Sequence, residues 1–455
     1  MPPRLVLPEF AKNRGPLFWI RPANWWTGRR KILRTDHSNE WRYEFLRDDL
    51  AVKPPTDFPS DPTARTRPYT WLLGGPRTDG FSFVILGDTG EGDASQYTLL
   101  PLIRSLAPDF MIINGDVAYP AGDVDDYKAG FFEPYRDLRI PIWAVPGNHE
   151  YYSAGRGREF FEVFCSTVTA SQWEEHGLVL RPQPGSYWEL AEAGHPLVVL
   201  GVDSGQNGAL DGKNGFLGFG KRKDDSAQHE WLDWRLRVAA ERGASVVVLF
   251  HIPRLVDAQS KSAVGLERLH AILSRYECVK LVISAHIHNL QCYEPATFER
   301  FLTDLTKTPP AARAAYLVSG AGGAYIGSTE FDGPYPPAQR YPTPERFSEL
   351  SRSGQELIHR LGIEKTIGGD LLAGLGGLFG GRAETTDADQ MRMVSLIHCE
   401  CRPGQPVSVT PYYIDDLADL YPEWPDGSPV QVQAGSPPLS ATARDRCRVP
   451  PTLSL

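Results

Sequence analysis

From Phe81 onward the chain repeats one unit: a short apolar run that stops abruptly on small, acidic or imidazole-bearing residues. The runs are FSFVILGD (81–88), FMIINGD (110–116), IPIWAVPGNHE (140–150), PLVVLGVDS (196–204), SVVVLFH (245–251), VKLVISAH (279–286) and AAYLVSGAGG (314–323). Helical patterns lie between them, over 95–107 and 226–240. In the second, Trp231, Leu232, Arg235 and Leu236 share one face. Apolar runs without polar alternation need cover on both faces, so the pattern predicts an α/β fold with doubly buried strands. In such folds ligands bind just beyond the carboxyl ends of the strands, where the polar residues of this chain collect.

The flanks read differently. Residues 1–80 are rich in proline and basic residues and carry Trp19, Trp25, Trp26, Trp41 and Trp71. They show little periodicity apart from a helical stretch near 40–50. An arm this aromatic is expected to wrap onto the core, because buried indoles remove much apolar area from water. Peripheral membrane contact through the Trp/Arg-rich residues 17–34 is the alternative. The expected division is therefore an arm over 1–80, a core over 81–330 and a Gly/Pro-rich extension over 331–455. Within that extension, 393–400 and 407–414 read as a late strand pair. The glycine-rich stretch 367–381 reads as a helix–loop piece or a lid, and the residues from 427 on as a loose tail.

Composition excludes some classes. With 47 Lys+Arg against 56 Asp+Glu, the net charge of −9 argues against a nucleic-acid binder that works by bulk charge. The cysteines at 165, 278, 292, 399, 401 and 447 form no CxxC pair and no dense disulfide framework. No apolar run approaches the ~20 residues of a membrane span, and the first residues show no secretory leader pattern. A cytoplasmic, reduced protein is the expectation.

The strand ends carry Asp88 in GDTG, Asp116 and Tyr119 in GDVAY, Asn148 and His149 in GNHE, His251 in FHIP, and His286 and His288 in AHIH. These are hard oxygen and borderline nitrogen donors without a thiolate. Such a set suits two adjacent Fe, Zn or Mn ions better than a structural zinc. Two ions about 3.5–4 Å apart, bridged by a carboxylate, can activate an in-line displacement at phosphorus. Each short motif alone is a weak signal, but five in order at predicted strand ends are not.

In these motifs the chain resembles the metallophosphoesterase (calcineurin-like) superfamily, and within it the purple acid phosphatase branch. Most of the superfamily opens with D-x-H, whose histidine binds the first metal. Here Gly90 occupies that place and Tyr119 supplies the tyrosine of GDxxY. The resemblance spans roughly residues 81–325 and implies a four-layer α/β/β/α sandwich with two mixed sheets. It implies a first metal, iron in that branch, on Asp88, Asp116, Tyr119 and His288. It places a second metal (Fe, Zn or Mn) on Asp116 as the bridge, Asn148, His251 and His286. His149 would contact the phosphate and assist the leaving group.

Around this set, Arg254, Tyr151 and Tyr152 are candidate substrate contacts, and Asp203 is a candidate support behind the ligands. Arg254 reads equally well as a solvated charge, and His229 is expected on the surface. The implied activity is phosphoester hydrolysis by metal-activated water on a phosphorylated small molecule, a monoester first and a diester such as a cyclic nucleotide second. A non-catalytic binding or membrane-surface scaffold on the same fold is the alternative from another class.

Overall fold

The structure is a computed structural model. It describes residues 79–90, 94–119, 121–122, 124–152, 157–165, 178–192, 195–204, 226–256, 266–324, 334–343, 345–346, 393–415 and 437–455, with the short strands Leu5–Val6, Thr70–Leu72 and Val430–Gln431. The expectations for Trp19, Trp25, Trp26 and Trp41, for membrane contact through 17–34, and for 367–381 lie outside the described residues.

Two mixed sheets make the body. The seven-stranded sheet runs in spatial order Leu453–Ser454, Ser408–Ile414, Val394–Cys401, Phe81–Leu86, Phe110–Asn114, Pro141–Val145, Val179–Leu180. Its strands from Phe81–Leu86 to Val179–Leu180 are parallel, while Val394–Cys401 runs antiparallel to Phe81–Leu86. The eight-stranded sheet runs Gln339–Tyr341, Leu290–Tyr293, Ala315–Ser319, Val279–Ser284, Ser245–Leu249, Leu197–Gly201, Trp188–Ala191, Thr70–Leu72. Its central four strands are parallel.

Alternate residues of one strand enter different cores, which makes the layering explicit. Val84 and Leu86 face helices Ala94–Thr98, Leu100–Leu106 and Arg158–Phe164, whereas Phe81, Phe83 and Ile85 face the other sheet. In the eight-stranded sheet, Val247, Leu249, Leu281 and Ile283 meet them from across the interface. Val246, Val248 and Val282 instead pack under helices Ser226–Glu241, Glu267–Leu273 and Pro295–Thr306. Three apolar cores separate four layers, α/β/β/α, as expected. Each strand is apolar throughout because neither face meets water.

Several expectations need correction. The core does not close at residue 330: Val394–Cys401 lies in the middle of the seven-stranded sheet, hydrogen-bonded on both sides. Nor is the extreme C-terminus a loose tail. Helix Ala441–Arg446 starts at Ser440, whose hydroxyl accepts from the Ala443 N–H, and Leu439, Ala443 and Cys447 join the core under the helices. At the other end, Thr70–Leu72 pairs in parallel with Trp188–Ala191, so the end of the arm is an edge strand. The helix expected over 95–107 is two, Ala94–Thr98 and Leu100–Leu106, with Pro101 in the first turn of the second, where its missing N–H costs nothing.

His229 is buried, not exposed. It lies on a helix face that also takes Gln228 and Arg235 inside with polar partners: Gln228 exchanges hydrogen bonds with the Asp203 backbone, and Arg235 forms an ion pair with buried Glu189. Among the described residues no helix is long and apolar enough to cross a membrane.

Candidate metal centre

Each proposed ligand stands where a buried strand has just ended. Asp88 follows Phe81–Leu86, Asp116 follows Phe110–Asn114, Asn148 follows Pro141–Val145, His251 follows Ser245–Leu249, and His286 and His288 follow Val279–Ser284. Three of them bend sharply there: Asp88, Asp116 and His286 have φ of 57°, 50° and 66°. Left-handed backbone at a residue with a side chain costs on the order of 1–3 kcal/mol and collects where function over-determines it. The bends turn these side chains back over the sheet ends.

Two donor groups result. Asp88, Asp116 and His288 bring ligand atoms within 4.8 Å of one another, and so do Asp116, His251 and His286. Asp116 belongs to both. The Tyr119 hydroxyl lies inside the first group, donating to Asp88 Oδ1 (3.0 Å) and Asp116 Oδ2 (2.9 Å) and 3.1 Å from His288 Nε2. Asn148 Oδ1 lies 3.2 Å from His251 Nε2, which is itself 3.2 Å from Asp116 Oδ2, in the second. Each group draws donors from both sheets. Buried carboxylates in such density are paired or bind cations, and this donor chemistry fits two hard or borderline metal ions.

The charges agree with that reading. Burial by itself would raise the Asp116 carboxyl, but the His251, His149 and His286 imidazoles outweigh it and hold it well below the usual carboxylate range. Burial would lower His251, yet the Asp116 and Asp88 carboxylates push it up to about 9. Where no metal is bound, a proton thus sits on His251, and a cation must displace it. The His251 Nδ1 contacts the Asn114 carbonyl at 2.9 Å. That contact puts a proton on Nδ1 and leaves Nε2 facing the second donor group.

Two glycines decide the local shape. At Gly90, where D-x-H would place a histidine, a Cβ would lie 1.9 Å from the Val117 carbonyl oxygen. The Tyr119 N–H donates to the Gly90 carbonyl at 2.9 Å, so the loop carrying Tyr119 occupies the room that a side chain at 90 would need. Gly115 has φ of 86° and abuts the His251 ring, with Nδ1 only 2.4 Å from a built Cβ. Ala285, in place of a glycine in AHIH, is accommodated because Gly87 faces it.

Sequence reasoning missed two supporting residues. Glu150 is fully buried and accepts four backbone N–H groups, from Asp116 (3.0 Å), Val117 (2.9 Å), Ala118 (3.1 Å) and Gly147 (2.6 Å). Burial, and then the nearby Asp116 charge, push its carboxyl up to about 8, while the N–H groups of Gly147 and Ala118 pull it down. Its position, directly after Asn148 and His149 in a glycine-flanked loop, was the available signal. Asn114 is the second: its amide donates to the carbonyls of Phe250 (3.3 Å) and Ile283 (3.1 Å), tying the two sheets together beneath the centre.

The remaining candidates fall around this core. His149 is partly exposed, its Nε2 4.0 Å from Asp116 Oδ2 and its backbone N–H donating to Asp116 Oδ1 at 2.9 Å. Tyr151 is buried, and its hydroxyl donates to the buried Asp203 Oδ2 at 2.5 Å. The Tyr152 hydroxyl accepts from Asn148 Nδ2 at 3.0 Å. Arg254 is mostly buried and pairs with Glu267 at 3.4 Å, so it is not simply a solvated charge.

Residues 81–290 match the model of the family described as calcineurin-like phosphoesterase. That match supports assigning this segment of the chain to the metallophosphoesterase superfamily. A curated relative, the probable glycerophosphodiester phosphodiesterase GpdQ of Arcobacter nitrofigilis, is 25% identical over 258 residues, covering 50% of this chain and 81% of the relative. Among solved structures, a purple acid phosphatase from yellow lupin (Lupinus luteus) seeds is similar at 13% identity and a TM-score of 0.43, over 76% of this chain. This chain spans only 54% of the lupin protein's length. GAP50, the anchor in the inner membrane complex of Plasmodium, is similar at 11% identity and a TM-score of 0.43, over 74% of this chain and 85% of that one.

Proposed function

We propose that the chain hydrolyses phosphoesters at a binuclear metal centre of purple acid phosphatase type. The observation that carries this reading is the pair of donor groups sharing Asp116, with the Tyr119 hydroxyl inside the first. Asp88, Asp116, Tyr119 and His288 would hold one ion. A phenol beside two carboxylates favours a hard cation there, with iron the leading choice. Asp116, Asn148, His251 and His286 would hold the other, Fe, Zn or Mn.

Bound metals would supply a water acidic enough to attack phosphorus near neutral pH, and positive charge opposite the phosphoryl oxygens. The chain's own residues do the rest. Asp116 remains a carboxylate through the neutral range, as its low pKa requires. His149 is partly exposed, lies against the Tyr119 ring with centroids 4.3 Å apart and planes at 52°, and keeps its Nε2 4.0 Å from Asp116 Oδ2. From there it delivers a proton to the departing alkoxide oxygen. Glu150 and Asn114 hold the loops in register. The six cysteines are all free and buried, in keeping with a reducing compartment such as the cytoplasm.

The primary substrate reading is a phosphomonoester, from the tyrosine-containing donor set. A second reading, a phosphodiester, is favoured by the name of the Arcobacter relative. The test is metal analysis followed by a panel of p-nitrophenyl phosphate, bis(p-nitrophenyl) phosphate and a glycerophosphodiester. Two metals per chain with turnover of the monoester above the diesters supports the first reading, and the reverse order supports the second. No hydrolysis of any ester by the two-metal protein would remove both.

A further inference from the structure

We propose that Tyr152 is a positioning residue for the second metal position, acting through Asn148 and His149; this rests on the binuclear reading above. A primary amide has two ends of nearly the same shape, and only its oxygen end can ligate a cation. Which end faces inward is decided by hydrogen-bond partners. Asn148 Oδ1 lies 3.2 Å from His251 Nε2, within the donor group, while Nδ2 donates to the Tyr152 hydroxyl at 3.0 Å. Half a turn of the amide would set N–H groups against the cation. The tyrosine oxygen gives those N–H groups an acceptor on the side away from it.

Local backbone geometry pre-sets this contact. Glu150–Tyr152 is one turn of 3₁₀ helix, with the Tyr151 N–H donating to the Asn148 carbonyl (3.2 Å) and the Tyr152 N–H to the His149 carbonyl (3.1 Å). The turn folds the Tyr152 side chain back over Asn148. The same ring packs against His149, with centroids 5.0 Å apart and planes at 64°. His149 also contacts the Tyr119 ring. One tyrosine therefore orients a ligand of the second position and restrains the imidazole that faces the leaving group. The sequence pointed to Tyr152 as a substrate contact, whereas its hydroxyl is turned to a ligand.

Zinc titrated calorimetrically into metal-free protein tests this. Wild type is expected to bind two ions, and the event weakened in Asn148→Ala identifies the second position. Tyr152→Phe should weaken that event about tenfold, the usual effect of removing a partner that orients a ligand. The other event should stay within about twofold, and thermal unfolding of the metal-free protein should be unchanged. Added to Asn148→Ala, the same substitution should have no further effect on either event. Wild-type affinity in Tyr152→Phe, or an equal loss in the Asn148→Ala background, would overturn the positioning role while leaving the binuclear reading intact. Fewer than two zinc ions in wild type would overturn both.

Discussion

Replacing Glu150 by glutamine puts an NH₂ group in place of one carboxyl oxygen, with almost no change in volume. The carboxylate takes four backbone N–H groups, from Gly147 and the consecutive residues Asp116, Val117 and Ala118. A glutamine retains one oxygen, for two of these groups. Its NH₂ end would face the other two, donor against donor. Each buried donor left without an acceptor costs about 1–3 kcal/mol, so the bare sum is about 2–6 kcal/mol. Loop relaxation trims this, and we expect a loss of about 3 kcal/mol.

The loosened segment contains Asp116, held at φ 50°, so the strained bend loses its support. Denaturant unfolding of metal-free protein measures the stability term, and metal analysis measures the consequence for the bridge. The expected result is a lower midpoint together with reduced occupancy of both metals, because both donor groups use Asp116. Stability within about 0.5 kcal/mol of wild type, with both metals retained, would refute the strut role. Loss of stability with full metal retention would separate the fold from the bend and refute only the second step.

Other outcomes follow from the same geometry. Tyr119→Phe keeps the ring but removes the hydroxyl shared by Asp88, Asp116 and His288. Affinity at the first position should fall about 10–100-fold, and any visible tyrosinate band of an iron-loaded protein should vanish. An unchanged band would assign the colour elsewhere. Gly90→His should not add a ligand. With Val117 O at 1.9 Å from its Cβ, it should destabilise the protein on the order of 3 kcal/mol, and a tolerated, metal-richer variant in a melt and metal assay would contradict this. His270 and His398 are buried, and burial lowers each to about 4 from 6.5. A depressed histidine favours folding above pH 6.5 and loses that contribution as pH falls toward 4. Each should therefore cost about 2 kcal/mol by pH 5. The drop in melting temperature from pH 7 to 5 should shrink in His270→Phe, and an undiminished drop would show that other groups govern it.

The centre was legible because its information is local. A buried parallel strand ends abruptly, and the residue that follows must turn, so GD, GNH, FH and AHIH mark both the strand end and the donor. What stayed hidden depends on long-range pairing. Nothing near Val394–Cys401 says that it lies beside Phe81–Leu86, more than 300 residues away along the chain. Its apolar text fits any buried strand, so local pattern does not extend the core past residue 330. Burial of polar groups was the other blind spot. His229 reads as a surface residue because imidazole side chains usually are, and nothing in the local pattern marks Glu150 or the partner of Arg235. Glu150 and Arg235 are inside because backbone N–H groups receive the one and Glu189 the other, partners that local spacing does not reveal.

Because each donor group takes residues from both sheets, neither can exist in a partly made chain. The first needs Asp88 and His288, and the second needs Asp116 and His286, so a growing polypeptide has no specific cation site until the AHIH segment has emerged. The sheet that carries Asp88 is still missing its central neighbour at that point, since Val394–Cys401 comes more than a hundred residues later. If the two groups hold metals as proposed, capture would come late in folding. On the binuclear reading, a chain that stops short of Cys401 would have every proposed ligand but an unfinished sheet beneath Asp88, so metal loading would report that Val394–Cys401 has joined it.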